Sequence, residues 1–153
     1  MIINDYQFYP TPEAMADRMA EAAMERTKNV RGREVNILEP SAGTGNLVTA
    51  LYKAHESRYR GSMTVDCIEI EENLRAILKE NFKDNSDVHI VWDDFSTFET
   101  YKKYDCIVMN PPFSEGEKHT LKALSLLRRY GGGLVCILNA ETVRNANTQS
   151  KKE

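Results

Sequence analysis

The chain has 153 residues, 41% hydrophobic and 28% charged, enough for one domain around one core and too few for two. No apolar run approaches the roughly 20 residues needed to cross a bilayer, and Met1 to Tyr6 lack the basic stretch and apolar core of a secretion signal, so the expected location is cytoplasmic. Twenty basic against 23 acidic side chains leave a net charge of −3 and a pI of about 5.7, which excludes a surface that grips nucleic acid by charge alone.

A first helix is expected to begin near Pro12, with Thr11 as N-cap and Glu13 favouring the positive end of the helix dipole. Its apolar face would be Met15, Met19, Ala22 and Ala23. Strand one is expected over Val35 to Leu38, ending in Glu39-Pro40, with a glycine-containing turn into a helix that carries Leu47, Val48, Ala50, Leu51 and Ala54. Strand two spans Met63 to Ile68, and the next helix, from about Glu71, presents Leu74, Ile77, Leu78 and Phe82 on one face. Strands three and four are expected over Val88 to Val91 and Tyr104 to Met109. A helix with Leu121, Leu124 and Leu127 as its apolar face follows, terminated by Gly131-Gly132-Gly133, and strand five runs from Leu134 to Leu138.

Apolar strand interiors and three helical crossovers indicate an α/β domain, a doubly wound, mostly parallel sheet with helices on both faces. Ligands of such folds sit beyond the carboxyl ends of the strands, and the unusual residues of this chain fall at those ends. Residues 1–140 form this domain, and 141–153 read as a polar tail or a truncated continuation. Cys67, Cys106 and Cys136 are odd in number, far apart and in β-like runs, which suits small buried hydrophobes better than ligands or bridges. His55 and His119 are expected on helix surfaces and His89 at a strand start, with no metal-ligand spacing among them. Trp92 is expected in the core or on a cofactor wall, and Arg128-Arg129 on a solvated face within reach of phosphate.

Glu39-Pro40-Ser41-Ala42-Gly43-Thr44-Gly45-Asn46 follows strand one, where two glycines let the backbone turn sharply and come close to a ligand. A dinucleotide fingerprint is excluded because Val48 stands where a third glycine or alanine belongs, and no Gly-Lys-Ser/Thr follows for a triphosphate. Glu69 ends strand two beside this loop, where a carboxylate can accept both hydroxyls of a ribose. Glu71 and Glu72 open the next helix and serve its dipole. After strand three, Asp94, favoured over Asp93, can accept from an adenine amino group, with Phe95 as an apolar wall.

The most specific signal is Asn110-Pro111-Pro112-Phe113 after strand four. Two successive prolines remove two donors and hold the chain extended. The Asn110 side-chain oxygen and the Pro111 carbonyl can each take one hydrogen of an NH₂ group, which leaves the nitrogen lone pair free, and Phe113 can stack on a base. Each of these segments alone also reads as an ordinary turn; their order along successive strand ends favours a cleft.

With these residues the chain resembles the class I S-adenosylmethionine-dependent methyltransferases, specifically the amino-methylating DNA enzymes that carry Asn-Pro-Pro-Tyr/Phe. The resemblance runs from Phe8-Tyr9-Pro10-Thr11-Pro12 to strand five. It implies that Tyr9 to Pro12 form an N-terminal cofactor motif, with Thr11 and the helix start near the methionine carboxylate. It also implies that Glu39, Pro40, Ser41, Ala42, Gly43 and Gly45 hold the methionine part, Glu69 the ribose, Ile70 the adenine face, and Asp94 with Phe95 the adenine edge. Asn110 to Phe113 would hold the target amine, and the motif order together with asparagine at 110 implies N6 of adenine in DNA. A protein glutamine amide or an RNA base is the alternative substrate, and a non-catalytic subunit that binds cofactor or a partner is the alternative of another class. The chain stops soon after strand five, where the family continues with an antiparallel hairpin and a recognition region. Strand five is therefore expected as an exposed edge, in a fragment or in a chain that a second subunit completes.

Overall fold

The computed structural model describes residues 10–58 and 61–138. Five strands, β1 (Val35–Glu39), β2 (Met63–Ile68), β3 (Val88–Trp92), β4 (Cys106–Met109) and β5 (Gly133–Cys136), form one sheet in the order β3-β2-β1-β4-β5. Every pairing is parallel. Helices α1 (Glu13–Thr27), α2 (Asn46–Ser57), α3 (Glu72–Asn81) and α4 (Gly116–Leu126) accompany it, with short 3-10 turns at Phe95–Thr97 and Phe113–Glu115.

Side chains alternate across the strands, so a sheet covered on both sides needs apolar residues at consecutive positions. In β1 and β4, Ile37, Cys106 and Val108 join the core beneath α1, α2 and α3, while Leu38, Ile107 and Met109 join the one beneath α4 and the first 3-10 turn. The β3-to-β4 crossover has only that short turn, whose Phe95 and Phe98 plug the second face in place of a helix. No helix among the described residues is long and apolar enough to cross a membrane.

Two helices are rotated from the faces expected of them. In α1 the buried stripe is Ala16, Met19, Ala20, Ala23 and Met24, and Met15 points outward. Small residues on α1 lie in one core with Ala50 and Ala54 of α2, which permits close helix approach. In α4 the buried residues are Gly116, Ala123 and Leu126, whereas Leu121 and Leu124 are more than half exposed. Phe95 and Phe98 already fill the space between sheet and helix, so α4 turns its small face inward. The helix ends at Leu126, well before the glycines, because Leu127 becomes extended and pairs with Tyr104.

Buried acids away from the cleft are neutralised by cations. At the amino ends of the strands, Asp105 accepts from Arg33 at 2.6 and 2.8 Å and from the Asn36 N–H, with Arg128 Nε at 2.9 Å. Burial works against its charge, but these donors outweigh burial and hold the carboxyl below its usual range. Arg128 is thereby committed at the end of the sheet remote from the expected ligand side. Asp66 of β2 accepts from Tyr104 Oη at 2.6 Å and Lys102 Nζ at 2.8 Å.

Gly45 precedes α2 at φ 100°, and a Cβ there would lie 2.2 Å from the Phe82 ring. Left-handed strain and overpacking act together, so Gly45→Ala is expected to lower the unfolding free energy by about 2–4 kcal/mol, measured by urea denaturation.

Candidate active site

In this sheet the chain order reverses between β1 and β4, which are neighbours although β2 and β3 intervene in sequence. Crossovers leave such a pair in opposite directions, and a crevice opens beyond their carboxyl ends. Glu39 at the end of β1 and Asn110 beyond β4 flank that point, and Ser41 Oγ bridges it by donating to the Asn110 carbonyl at 3.2 Å. The crevice is a cavity of about 530 Å³, the size of a nucleoside-like ligand. Glu39, Glu69, Asp94 and Asn110, which come from four strand ends, all line it.

The loop after β1 is bound mostly to itself and to its neighbours. Ser41 N donates to Glu39 Oε1 (2.9 Å), Ala42 N to the Ile68 carbonyl (2.9 Å), Gly43 N to Glu69 Oε2 (2.8 Å) and Gly45 N to the Ala42 carbonyl (3.0 Å). Four of its five amides are thus taken, which leaves no nest of free N–H groups for a phosphate. Pro40, Ser41, Ala42 and Gly43 line the cavity. Gly45 does not; it shapes the loop from behind, against Phe82.

Glu69 is aimed by a register shift between β2 and β3 at Cys67/Ile68. Its other oxygen accepts from the Glu71 N–H at 3.2 Å, so one carboxylate ties the glycine loop to the approach of α3. Lone pairs remain on both oxygens. Glu71 caps α3 by accepting from Leu74 N at 2.7 Å, and it also lines the cavity. Ile70, half exposed, and Leu74 give the cavity an apolar wall.

Asn110 Nδ2 donates to Thr11 Oγ1 at 3.3 Å, which turns the amide so that Oδ1 is left to accept. Thr11 is therefore no N-cap: Pro12 occupies that position without a side-chain bond, and the buried Thr11 hydroxyl serves Asn110. Pro112 lines the cavity, whereas Pro111 is buried and is not among the lining residues. Phe113 opens the second 3-10 turn, and its side chain lies outside the described structure, as does the whole of Tyr9.

Asp94 Oδ1 accepts from Ser96 N (2.9 Å) and Ser96 Oγ (2.7 Å), fixing a side chain that also lines the cavity and keeps Oδ2 for another donor. Phe95 is buried at its base. Trp92 lies outside the lining, half exposed, with Nε1 donating to Thr97 Oγ1 at 3.0 Å. His55, expected at the surface, is buried and bonds the Gly61 carbonyl at 2.6 Å through Nε2. Sequence reasoning missed Asn46, Ser96, Ser114, Lys118 and His119 as lining residues. Asn46 follows Gly45 and Ser96 follows Phe95 directly, but Ser114, Lys118 and His119 depend on how α4 and its preceding turn fold over the cleft, which no local pattern records. Among the described residues no group of three or more His, Cys, Asp or Glu is placed to hold a metal ion.

These residues suit a ligand that carries cationic groups, ribose hydroxyls and an aminopurine. Burial pushes the Glu39 carboxyl up to about 8, against the Ser41 N–H and with help from nearby Glu69; burial also raises Glu69, against the Gly43 and Glu71 N–H groups. Neither has a salt-bridge partner among the described residues, so a positively charged ligand would relieve both. Because Glu39 rises from its ordinary 4.5, the folded chain binds the proton more tightly than the unfolded one. The resulting stability is complete below about pH 4.5 and is lost as the pH climbs to about 8. The melting temperature of the ligand-free chain is expected to fall by roughly 5–15 °C across that interval, and Glu39→Gln is expected to flatten the dependence in calorimetric scans.

Residues 14–133 match the family Methyltransferase small domain. The chain is 33% identical over 78 residues to the type II methyltransferase M.CvrRI of Paramecium bursaria Chlorella virus XZ-6E, covering 51% of this chain and 18% of that protein. It is 27% identical over 106 residues to the type II methyltransferase M.AccI of Acinetobacter calcoaceticus, covering 69% and 18%. The chain thus spans under a fifth of the length of these relatives. In fold it is similar to the methyltransferase subunit of a type I restriction-modification system from Streptococcus thermophilus, with a TM-score of 0.70 at 15% identity, covering 86% of this chain and 34% of that one. Family match, parallel sheet and cleft chemistry agree: the chain belongs to the Methyltransferase small domain family, class I methyltransferases whose cofactor is S-adenosylmethionine.

Proposed function

We propose that this chain transfers a methyl group to the N6 amine of adenine in DNA. The observation that carries the reading is that Glu69 and Asn110 open into one cavity, with the Asn110 amide turned by Thr11 to present its oxygen. S-adenosylmethionine supplies an electrophilic methyl on a sulfonium. Glu69 accepts the ribose hydroxyls, Ile70 covers the adenine face, and Asp94 accepts from the adenine amine. Glu39 and the loop from Pro40 to Gly43 surround the cationic methionine portion, with Thr11 and the start of α1 near its carboxylate.

Asn110 Oδ1 would accept one hydrogen of the target amine, and the motif assigns the other to the carbonyl of Pro111, which is itself outside the cavity lining; the nitrogen lone pair would then stay free for the methyl group. The bound cofactor would supply the methyl group, its sulfur–carbon bond giving way to the new nitrogen–carbon bond, and the proton shed by nitrogen would pass to solvent. Catalysis is positioning and electrostatics. In duplex DNA the base must leave the stack at a cost of a few kcal/mol, with Phe113 as the stacking partner that its motif implies.

DNA as substrate is supported by relatives that are type II methyltransferases and by a fold neighbour from a restriction-modification system. The net charge of −3 supports a reading in which a further recognition domain or a second subunit makes most of the phosphate contacts. Transfer of radiolabelled methyl to DNA, RNA and protein, run side by side with the product nucleoside identified, tests the reading. Label appearing only in RNA or in a glutamine amide would replace the substrate, and cofactor binding without turnover, restored by a partner, would make this chain a subunit. Asn110→Ala is expected to lower turnover by at least about 10²-fold with cofactor affinity within about twofold; full turnover would remove Asn110 from the mechanism.

A further inference from the structure

Among the described residues, His119 of α4 has a ring contact but no hydrogen bond that would require an imidazole. The ring stands edge-on to Phe95, with centroids 5.1 Å apart and planes at 89°, and a phenyl ring would pack there equally well. Of its two nitrogens, Nδ1 is sealed from solvent with no hydrogen-bond partner among the described residues. Such an atom counts against the fold unless the rest of the ring is used. The residue also lines the cavity, as does Asp94, whose neighbour in sequence, Phe95, is the ring that His119 packs against.

The protonation pattern follows from burial, which lowers the His119 pKa against the opposing pull of Glu115 and Asp94. A neutral imidazole carries one N–H and one lone pair. Sealing a bare lone pair costs less than sealing an unpaired N–H, so the proton belongs on Nε2 and the lone pair on Nδ1. Close by, Ser96 occupies Asp94 Oδ1, and Oδ2 has no hydrogen-bond donor among the described residues. One wall thus presents an acceptor and a donor together. An adenine edge requires that pair, because its amine donates while the flanking ring nitrogens, N1 and N7, only accept.

We propose that His119 is a positioning residue for the cofactor, donating from Nε2 to the purine nitrogen adjacent to the amine held by Asp94. The contact would tie adenine recognition to the helix that follows Asn110-Pro111-Pro112-Phe113, and it rests on the cofactor placement given above.

Isothermal titration of the full chain with S-adenosylhomocysteine and its 1-, 3- and 7-deaza forms tests this. Wild type is expected to bind either the 1-deaza or the 7-deaza form about tenfold more weakly than the parent, with the 3-deaza form unaffected. His119→Phe is expected to bind the parent about tenfold more weakly and to lose the discrimination. His119→Gln, which keeps a reaching donor, should recover part of it, and His119→Asn, which is too short, should not; this pair carries the comparison if the phenylalanine variant melts early. Lys118 is another donor on the cavity wall, so Lys118→Met is expected to leave the discrimination intact. Wild type that fails to distinguish the deaza forms, or His119→Phe that distinguishes them as well as wild type, would overturn the proposal alone. Wild type that binds none of these ligands would overturn the cofactor placement and this proposal with it.

Discussion

The cleft depends on a single buried carboxylate. Glu69 accepts the Gly43 N–H at 2.8 Å and the Glu71 N–H at 3.2 Å, so the loop after β1 and the entry to α3 are held to the same two oxygens. Without it, the Gly43 amide would lose its partner, at a cost of about 1–3 kcal/mol, and the Ala42 N–H to the Ile68 carbonyl would be left to hold the loop to β2. The group that shapes the floor of the cavity is the same one proposed to bind the ligand.

The buried acids of the sheet fall into two groups. Asp105 and Asp66 carry cations, with Arg33 and Arg128 on the first and Lys102 on the second. They serve stability, because a buried charge without a counter-charge is costly. Glu39 and Glu69 at the carboxyl ends are held by backbone N–H groups instead. Burial raises both carboxyls, so a cationic ligand would favour their ionised forms, in a cavity whose loop amides are mostly occupied. This explains in physical terms why the glycine loop, similar in outline to phosphate-binding turns, suits a ligand without phosphate.

Asn110 shows how a distant part of the chain orients the group proposed to hold the target amine. A free amide presents its oxygen and its NH₂ to the cleft with little preference, and only the oxygen can accept from a target amine. The Thr11 hydroxyl, 99 residues earlier, takes the NH₂ and settles the choice. That preorganisation precedes substrate binding and needs no reorganisation at the moment of reaction.

The parallel α/β architecture, the strand order of the chemical segments and most of the cleft were legible in the residues themselves. Apolar runs such as Ile37-Leu38 and Ile107-Val108-Met109 demand burial on both faces, and Glu39, Glu69, Asp94 and Asn110 each stand where such a run stops. Periodicity failed for the orientation of α1 and α4, since Met15, Leu121 and Leu124 satisfy a helical stripe yet point outward. Which stripe is buried was decided by neighbours distant in sequence, namely the alanines of α2 and the rings of Phe95 and Phe98. The same reason governs His119, Thr11 and Gly45. Strand ends are local facts, written in the order of residues, whereas the partner that a hydroxyl, an imidazole or a missing Cβ meets exists only once remote segments pack, and tertiary structure alone determined it.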